Sequence, residues 1–178
     1  MIILIGESGS GKTTILNKLV ELGYEKAINH TTRKPRESEE NTDEYKFLSK
    51  EEFNKMWDDG KLLQRAEFNG EYYGISTSSL KENGVCISIV NSVADIKKRA
   101  KELNMEDVKI ITIYVYVNEQ ERIKRMKDRG DSIDSIQTRI KIDREKFARA
   151  KKVADFIVEN IDIDEAVKEI TEIAKNNA

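Results

Sequence analysis

The sequence predicts a three-layer α/β fold, in which helices cover a parallel five-stranded core sheet and a small α+β subdomain is inserted. Short apolar runs alternate with helical patterns along the chain, which is the order of parallel strands joined by helices. The alternation is interrupted where a capping-box helix and a hairpin pattern stand together. Because 178 residues make about one domain, we expect a core of residues 1–28 and 85–178 with an insertion of about 29–84.

The core elements follow in order. Residues 1–5 form a continuous apolar run that stops at glycine, which is typical of a strand buried on both faces. Residues 12–22 carry apolar side chains at the spacing of one helical stripe, and Gly23 ends them. A short second strand is predicted at residues 24–28. Three more buried strands, separated by helical segments, are predicted at residues 85–90, 109–117 and 156–158.

The inserted segment has its own signals. Ser49 and Glu52 form a capping box, which predicts a helix from there through Asp59. Asn69-Gly70 lies between residues 62–68 and 71–75, which predicts a β-hairpin.

Composition excludes several classes of protein. Hydrophobic residues make up 38% of the chain and charged residues 36%, which is typical of a globular protein. The longest apolar run, residues 110–117, is far shorter than the roughly 20 residues that a membrane-spanning helix needs. The first residues lack the basic flank of a secretory leader. One cysteine, Cys86, allows neither an internal disulfide nor a cysteine zinc cluster, so a reducing cytoplasm is the expected setting.

The net charge of −2 conceals two opposed blocks. Residues 122–152 contain 12 basic and 5 acidic side chains, whereas residues 37–71 contain 5 basic and 11 acidic ones. The near-neutral total argues against a membrane surface or polymeric nucleic acid as a partner. The basic block leaves room for small anionic ligands.

Residues 6–13, Gly-Glu-Ser-Gly-Ser-Gly-Lys-Thr, fit the phosphate-loop pattern G-x-x-x-x-G-K-[ST] between a predicted strand and a helix. Glycines let the backbone approach an anion closely, and the helix N-terminus favours negative charge. Lys12 is expected to reach the β- and γ-phosphates, and the Thr13 hydroxyl to bind Mg²⁺. The residues in and beside this loop that are predicted to bind a nucleoside triphosphate, ATP in a kinase, are Gly6, Glu7, Ser8, Gly9, Ser10, Gly11, Lys12, Thr13 and Thr14.

A phosphate loop alone does not separate kinases from ATPases and GTPases. Residues 30–36, predicted to form a loop, place three cations in four positions. Arg33 and Arg36 could clamp a second phosphate, because guanidinium forks suit bidentate phosphate binding. The alternative at this point is a solvated basic loop.

Taken together, these segments resemble the guanylate kinase family of P-loop nucleoside monophosphate kinases. The resemblance covers nearly the whole chain, as a single domain of residues 1–178. The ordered motifs that carry it are residues 6–13, 31–36, 43–47, 70–74 and Arg129-Gly130-Asp131 leading to Arg139. It implies the P-loop kinase fold with a helical lid at about residues 125–140, in which Gly130 breaks the helical pattern.

The resemblance also implies roles for individual residues. Arg33, Arg36, Tyr45 and Tyr73 match positions that bind the acceptor phosphate in the family. Arg125, Arg129 and Arg139 lie where the family carries lid arginines that close over ATP. The predicted catalytic residues are Lys12, Arg33, Arg129 and Arg139. The predicted acceptor-binding residues are Asn29, Arg33, Arg36, Tyr45, Gln64, Tyr73, Asn91 and Arg139.

The base-reading positions depart from the family pattern. Gln64 stands where guanylate kinases have a glutamate that accepts two guanine hydrogens, and a glutamine has one acceptor oxygen and one donor amide. Asn29 and Ile75 replace hydroxyl residues that address guanine, and Ile89 and Asn91 stand where aspartates are expected.

Three functions are compatible with these departures. The first is phosphoryl transfer from ATP to GMP with altered base contacts, which we expect. The second is a related kinase for another nucleotide or for ribose 1,5-bisphosphate. The third is a guanylate-kinase-like binding module without catalysis, which the complete phosphate loop disfavours. Whether the chain is a monomer or a dimer stays open.

Overall fold

A computed structural model describes residues 1–35, 45–68 and 70–177. In chain order the elements are β1 (Ile2–Ile5), α1 (Lys12–Glu21), β2 (Glu25–Lys26), β3 (Asn29–Thr31), β4 (Lys46–Phe47), α2 (Lys50–Asp58), β5 (Ala66–Phe68), β6 (Glu71–Ile75), a short 3-10 helix (Thr77–Ser79), β7 (Gly84–Ile87), α3 (Val90–Glu102), β8 (Ile111–Tyr116), α4 (Glu119–Asp128), α5 (Ile133–Lys146), α6 (Ala150–Val153), β9 (Phe156–Glu159) and α7 (Ile163–Asn176). The predicted α/β class is confirmed.

The central sheet has five parallel strands in the order β2-β7-β1-β8-β9. The middle strand β1 pairs on one side with β7, where Ile2 lies opposite Val85, and on the other with β8, where Ile2 lies opposite Ile111. Because all strands run the same way, the loops after β1, β7 and β9 emerge at one edge. This edge is where ligands bind in open α/β sheets.

Both faces of the sheet are covered, which gives the three layers. Successive side chains of a strand point to opposite faces, so Ile3 of β1 packs in one apolar cluster with Val93 and Ile96 of α3. Leu4 packs in the other cluster, which also holds Ile15 of α1 and residues of α7. The phosphate loop therefore leaves a strand that is fixed from all sides.

A second sheet, in the order β4-β3-β6-β5, lies within residues 29–75. The capping box predicted at Ser49 is confirmed, because its side chain accepts from the Glu52 amide and the Glu52 side chain accepts from the Ser49 amide. The helix α2 that it opens buries Phe53 against this sheet. The hairpin of β5 and β6 is confirmed as an antiparallel pair.

The predicted lid, at about residues 125–140, lies within α4 and α5, and we call these two helices the lid. Gly130 has a φ of 92°, in the left-handed region that favours glycine, and it separates the two helices as predicted. The Ser132 side chain caps α5 by accepting from the Ser135 amide. No helix in the described part of the chain is long and apolar enough to cross a membrane.

Several predicted boundaries were wrong. The strand predicted at residues 85–90 ends at Ile87, and Val90 already begins α3, since a short apolar run does not show where a buried strand gives way to a buried helix. The strand predicted at residues 24–28 contains only β2, and the one at residues 62–68 contains only β5.

The predicted loop at residues 30–36 was wrong at its start. His30 and Thr31 belong to β3, which pairs with both β4 and β6. Pairing with distant strands fixes these two residues, and no local pattern signals it.

Candidate active site

Two clefts open along the carboxyl edge of the central sheet. The loop cleft, of about 660 Å³, lies between the phosphate loop and the lid. The subdomain cleft, of about 620 Å³, lies between the phosphate loop and the second sheet. Ser8, Lys12 and Arg139 line both clefts, so the two meet at these side chains.

The phosphate loop follows β1 and leads into α1. Gly9 and Gly11 have φ angles of 80° and 89°, and Gly11 is the residue that precedes the first turn of the helix. A Cβ atom at Gly9 would lie 2.8 Å from the backbone oxygen of Arg122, so glycine is needed for space as well as for conformation. The helix N-terminus faces the loop cleft, where Thr13 and Thr14 also lie.

Lys12 lies folded back over this loop. Its Nζ donates to the Glu7 backbone oxygen at 2.8 Å and to the Ser10 Oγ at 3.3 Å. Burial lowers the pKa of Lys12 to about 8, and the carboxylates of Asp143 and Glu7 partly oppose this shift. The ammonium group is therefore charged at neutral pH and sits where the two clefts meet.

Two contacts from the core strands hold the loop, and sequence reasoning missed both. The Asn160 side chain, just after β9, donates to the Ser10 backbone oxygen at 2.9 Å. The Tyr114 hydroxyl on β8 donates to Glu7 Oε1 at 2.8 Å, and burial, together with this bond, raises the pKa of Tyr114. A polar residue at the end of a predicted core strand is the signal that could have pointed to Asn160.

The three predicted lid arginines all line the loop cleft. Arg125 donates from Nη2 to the Asn160 backbone oxygen at 2.9 Å, and Arg129 forms an ion pair of 2.5 Å with Asp131. Arg139 is exposed, and its Nε donates to the Ser135 Oγ at 3.3 Å. The lid thus directs cations at the space beside the phosphate loop.

A buried pair, Arg122 and Asp143, joins the lid to the phosphate loop and was also missed. Asp143 Oδ2 accepts from the Ser8 amide at 2.7 Å, and Arg122 Nη1 donates to the Ser8 backbone oxygen at 3.3 Å. In the sequence, Arg122 was one of many cations in a basic block, and nothing local distinguishes Asp143.

The predicted acceptor-phosphate residues form a cluster of rings and one cation. Tyr45 and Tyr73 line the subdomain cleft, and their rings meet edge to face with centroids 6.3 Å apart. The Arg33 guanidinium lies 5.2 Å from the Tyr45 ring centroid and donates to the Lys34 backbone oxygen at 3.0 Å. Arg33 is not among the residues lining either cleft, and Arg36 lies outside the described residues.

Gln64 and Asn29 both line the subdomain cleft. Gln64 is buried, and Gly74 lies so close to it that a Cβ atom there would be 2.6 Å from the Gln64 backbone oxygen. Asn29 pairs in register with Ile75, whose side chain is buried in the core. The two predicted base-reading amides therefore share one cleft.

The segment after β7 places a different residue in the cleft than predicted. Ser88 and Ile89 line the subdomain cleft, whereas Asn91 is exposed in the first turn of α3 and lines neither cleft. Ser88 is 9% exposed, and its Oγ has no hydrogen-bond partner in the structure. A buried, unpaired hydroxyl that lines a cleft is a candidate ligand contact.

Within residues 1–35, 45–68 and 70–177, no group of three or more histidine, cysteine or carboxylate side chains could hold a metal ion. Thr13 is exposed at the start of α1 and lines the loop cleft. A hydroxyl at this place fits a Mg²⁺ ion whose other ligands are phosphate oxygens and water.

Comparisons with known proteins agree with this geometry. A family model described as guanylate kinase matches residues 1–177. A guanylate kinase of Wolbachia sp. subsp. Brugia malayi (strain TRS) is 32% identical, with 97% of this chain and 90% of the relative covered. A guanylate kinase of Prochlorococcus marinus subsp. pastoris is 31% identical, with 99% and 97% covered.

The fold matches a solved structure as well. The crystal structure of guanylate kinase from Anaplasma phagocytophilum aligns with a TM-score of 0.61 and 23% identity over 99% of this chain and 85% of the other.

A phosphate loop after the middle strand of a parallel sheet, with a lid and a second cleft, defines a phosphotransferase of the P-loop class. The chain belongs to the guanylate kinase family.

Proposed function

We propose that the loop cleft binds ATP, that the subdomain cleft binds GMP, and that the γ-phosphoryl group passes between them to give ADP and GDP. The observation that carries this assignment is that Ser8, Lys12 and Arg139 line both clefts. Phosphoryl transfer needs the attacking and leaving oxygens in line and their charge neutralised, which cations between two clefts can supply.

The ATP side depends on the phosphate loop and the lid. Backbone amides of residues 8–13 and the positive end of α1 bind the phosphates, and Lys12 places its charge on the group that is transferred. Arg125 on α4 and Arg129, which directly follows this helix, cover the nucleotide. Thr13 would hold Mg²⁺, which supplies further charge neutralisation when bound.

The GMP phosphate is bound by the ring cluster at the mouth of the subdomain. Tyr45 and Tyr73 offer hydroxyl donors inside the cleft. Arg33, which stacks on Tyr45, and Arg36 add guanidinium donors that suit a dianionic phosphate. None of these residues needs to act as a strong base, because the acceptor phosphate is itself a nucleophile once its charge is shielded.

The guanine base is read by Gln64 and Asn29. A glutamine amide pairs with O6 and N1–H of guanine by donating one hydrogen bond and accepting another, in place of the two that a carboxylate accepts. Ser88, with its unpaired Oγ in the same cleft, adds a third polar contact.

An assay of ADP release tests the assignment. Purified protein with ATP and Mg²⁺ is supplied in parallel with GMP, dGMP, AMP, CMP, UMP and ribose 1,5-bisphosphate. We expect the highest kcat/KM with GMP. A preference for another acceptor contradicts the assignment of guanine to the subdomain cleft, and no turnover with any acceptor contradicts phosphoryl transfer altogether.

The class of ligand and the cellular location belong to the same proposal. Free nucleotides, and not polymeric nucleic acid, are the ligands, because the cations of the proposed site, Lys12, Arg125, Arg129 and Arg139, line two small clefts. A cytoplasmic location suits a chain with one cysteine, Cys86, which is free and can form no internal disulfide.

A further inference from the structure

A carboxylate on the lid accepts a hydrogen bond from the phosphate loop. In the proposed reaction the same loop binds the phosphates of ATP. Asp143 lies on α5, and its Oδ2 accepts a hydrogen bond of 2.7 Å from the backbone amide of Ser8. The side chain is only 9% exposed. Because a buried carboxylate needs hydrogen bonds and opposite charge, this contact is part of the packed structure.

Arg122 on α4 supplies the opposite charge. Its Nη1 lies 3.6 Å from Asp143 Oδ2 and donates to the Ser8 backbone oxygen at 3.3 Å, and its side chain is 5% exposed. Through Ser8, the phosphate loop is therefore joined to both helices of the lid, α4 and α5. We call Ser8, Arg122 and Asp143 the lid contact.

The lid contact lies where the two substrates meet. Ser8 lines both clefts, and Asp143 lines the subdomain cleft beside Lys12. Arg139 stands four residues before Asp143 on α5, so both side chains lie on the same face of that helix. The same helix therefore carries a cation that attracts phosphate and a carboxylate that repels it.

We propose that Asp143 is a gating residue: in the nucleotide-free protein its carboxylate occupies the Ser8 amide and balances Arg122, and the phosphates of the bound nucleotide displace it. Displacement releases α5 from the loop and lets Arg139 move with the helix toward the transferred group. The carboxylate thus weakens nucleotide binding and couples the position of the lid to the occupancy of the loop. This inference rests on the assignment of the loop cleft to ATP.

Calorimetric titration with ADP tests the gate without requiring turnover. Asp143→Asn keeps the size of the side chain and an acceptor oxygen but removes the charge, while Glu145→Gln removes an exposed charge from the same helix as a control. We expect Asp143→Asn to bind ADP at least about threefold more tightly than wild type, because the anion site no longer has to be cleared of a carboxylate. Glu145→Gln is expected to bind ADP as wild type does.

The direction of the change in ADP affinity separates a gate from a purely structural contact, and thermal unfolding gives a second measurement. If Asp143 merely holds the loop in shape, Asp143→Asn binds ADP more weakly and melts at a lower temperature, which overturns the proposal. The gate predicts tighter ADP binding even where the Asp143→Asn variant exchanges the amide hydrogens of the loop peptide that contains Ser8 faster than wild type. Equal ADP affinity in variant and wild type overturns the gate but leaves the ATP site assigned, whereas a wild type that binds no ADP overturns both.

Discussion

At the scale of single residues, the site depends on charges whose state is set by burial. Lys12 is buried against the phosphate loop, and desolvation lowers its pKa to about 8, near physiological pH. Bound phosphate favours the charged form of the same lysine. In the proposed ATP site, nucleotide affinity and the protonation of Lys12 are therefore linked.

The first prediction concerns this linkage. Above pH 8 the free protein loses the Lys12 proton that phosphate binding requires, so we expect the dissociation constant of ADP to rise steadily between pH 8 and 10. Lys12→Ala is expected to bind ADP weakly without this rise, and its turnover falls by about 10²- to 10³-fold. Titration calorimetry over this pH range is the measurement. Lys18→Ala, on the same helix but paired with Asp164 at the surface, is the control and keeps the wild-type profile.

The second prediction concerns base reading by Gln64. A carboxylate accepts both hydrogens that guanine presents on N1 and N2, which a glutamine does not, so Gln64→Glu should raise kcat/KM for GMP relative to AMP. Steady-state rates with both acceptors give this ratio. An unaltered ratio would show that Gln64 does not contact the base edge.

The third prediction concerns Ser88. Because its Oγ is buried without a partner, Ser88→Ala should not lower the free energy of unfolding. Loss of a hydrogen bond to the acceptor, worth about 1 kcal/mol, raises KM for GMP about fivefold. Ser79→Ala is the matched control: Ser79 Oγ accepts from the Ile28 amide at 2.8 Å, so that variant loses stability and keeps its KM. A wild-type KM in Ser88→Ala contradicts the contact.

At the scale of elements, the second sheet is connected to the core through α2 and α3. Arg99 on α3 donates from Nη2 to the Trp57 backbone oxygen at 2.8 Å, and its guanidinium lies 4.2 Å from the centroid of the Trp57 ring. The end of α2 is thereby fixed to the core by one planar cation, which positions the subdomain cleft relative to the phosphate loop.

The fourth prediction tests this connection. An ammonium group cannot both stack over the face of the Trp57 ring and reach the Trp57 carbonyl, so Arg99→Lys should lower the free energy of unfolding by about 1–2 kcal/mol. Urea denaturation followed by Trp57 fluorescence measures it. The exposed neighbour Lys98, changed to alanine, should stay within about 0.5 kcal/mol of wild type. If Arg99→Lys and Lys98→Ala have the same free energy of unfolding, the contact between Arg99 and Trp57 contributes little to stability.

At the scale of the whole molecule, two clefts of similar volume meet at three shared side chains. The middle strand β1 places the phosphate loop at the edge of the sheet. The lid lies beside this loop at the loop cleft, and the inserted subdomain lies beside it at the subdomain cleft. In the proposed assignment each substrate has a cleft of its own, so both can be bound at once and the fold brings the reacting oxygens together.

The fifth prediction follows from this arrangement. A compound that joins adenosine to guanosine through five phosphates spans both clefts, so its dissociation constant should be at least about a hundredfold below that of ADP. Calorimetry with this compound, ADP and GMP gives the comparison. The analogue with adenosine at both ends is the control, and equal affinity for both compounds would mean that the second cleft does not read guanine.

Local patterns determined a large part of this protein. The phosphate loop, the alternation of strands and helices, the capping box at Ser49 and the break at Gly130 are all written within a few neighbouring residues, so they could be predicted. Family membership could be inferred for the same reason, since short ordered motifs carry it.

Tertiary structure alone decided the rest. Ser8 and Asp143 lie 135 positions apart, and Asn160 reaches the loop across 150 positions, so no local pattern connects them. Burial of Arg122 and the unpaired hydroxyl of Ser88 depend on how helices and strands pack, as does the order of the central sheet. The sequence by itself determined which chemistry the chain carries, because that chemistry is local; packing decided which distant side chains hold the phosphate loop and which line the two clefts.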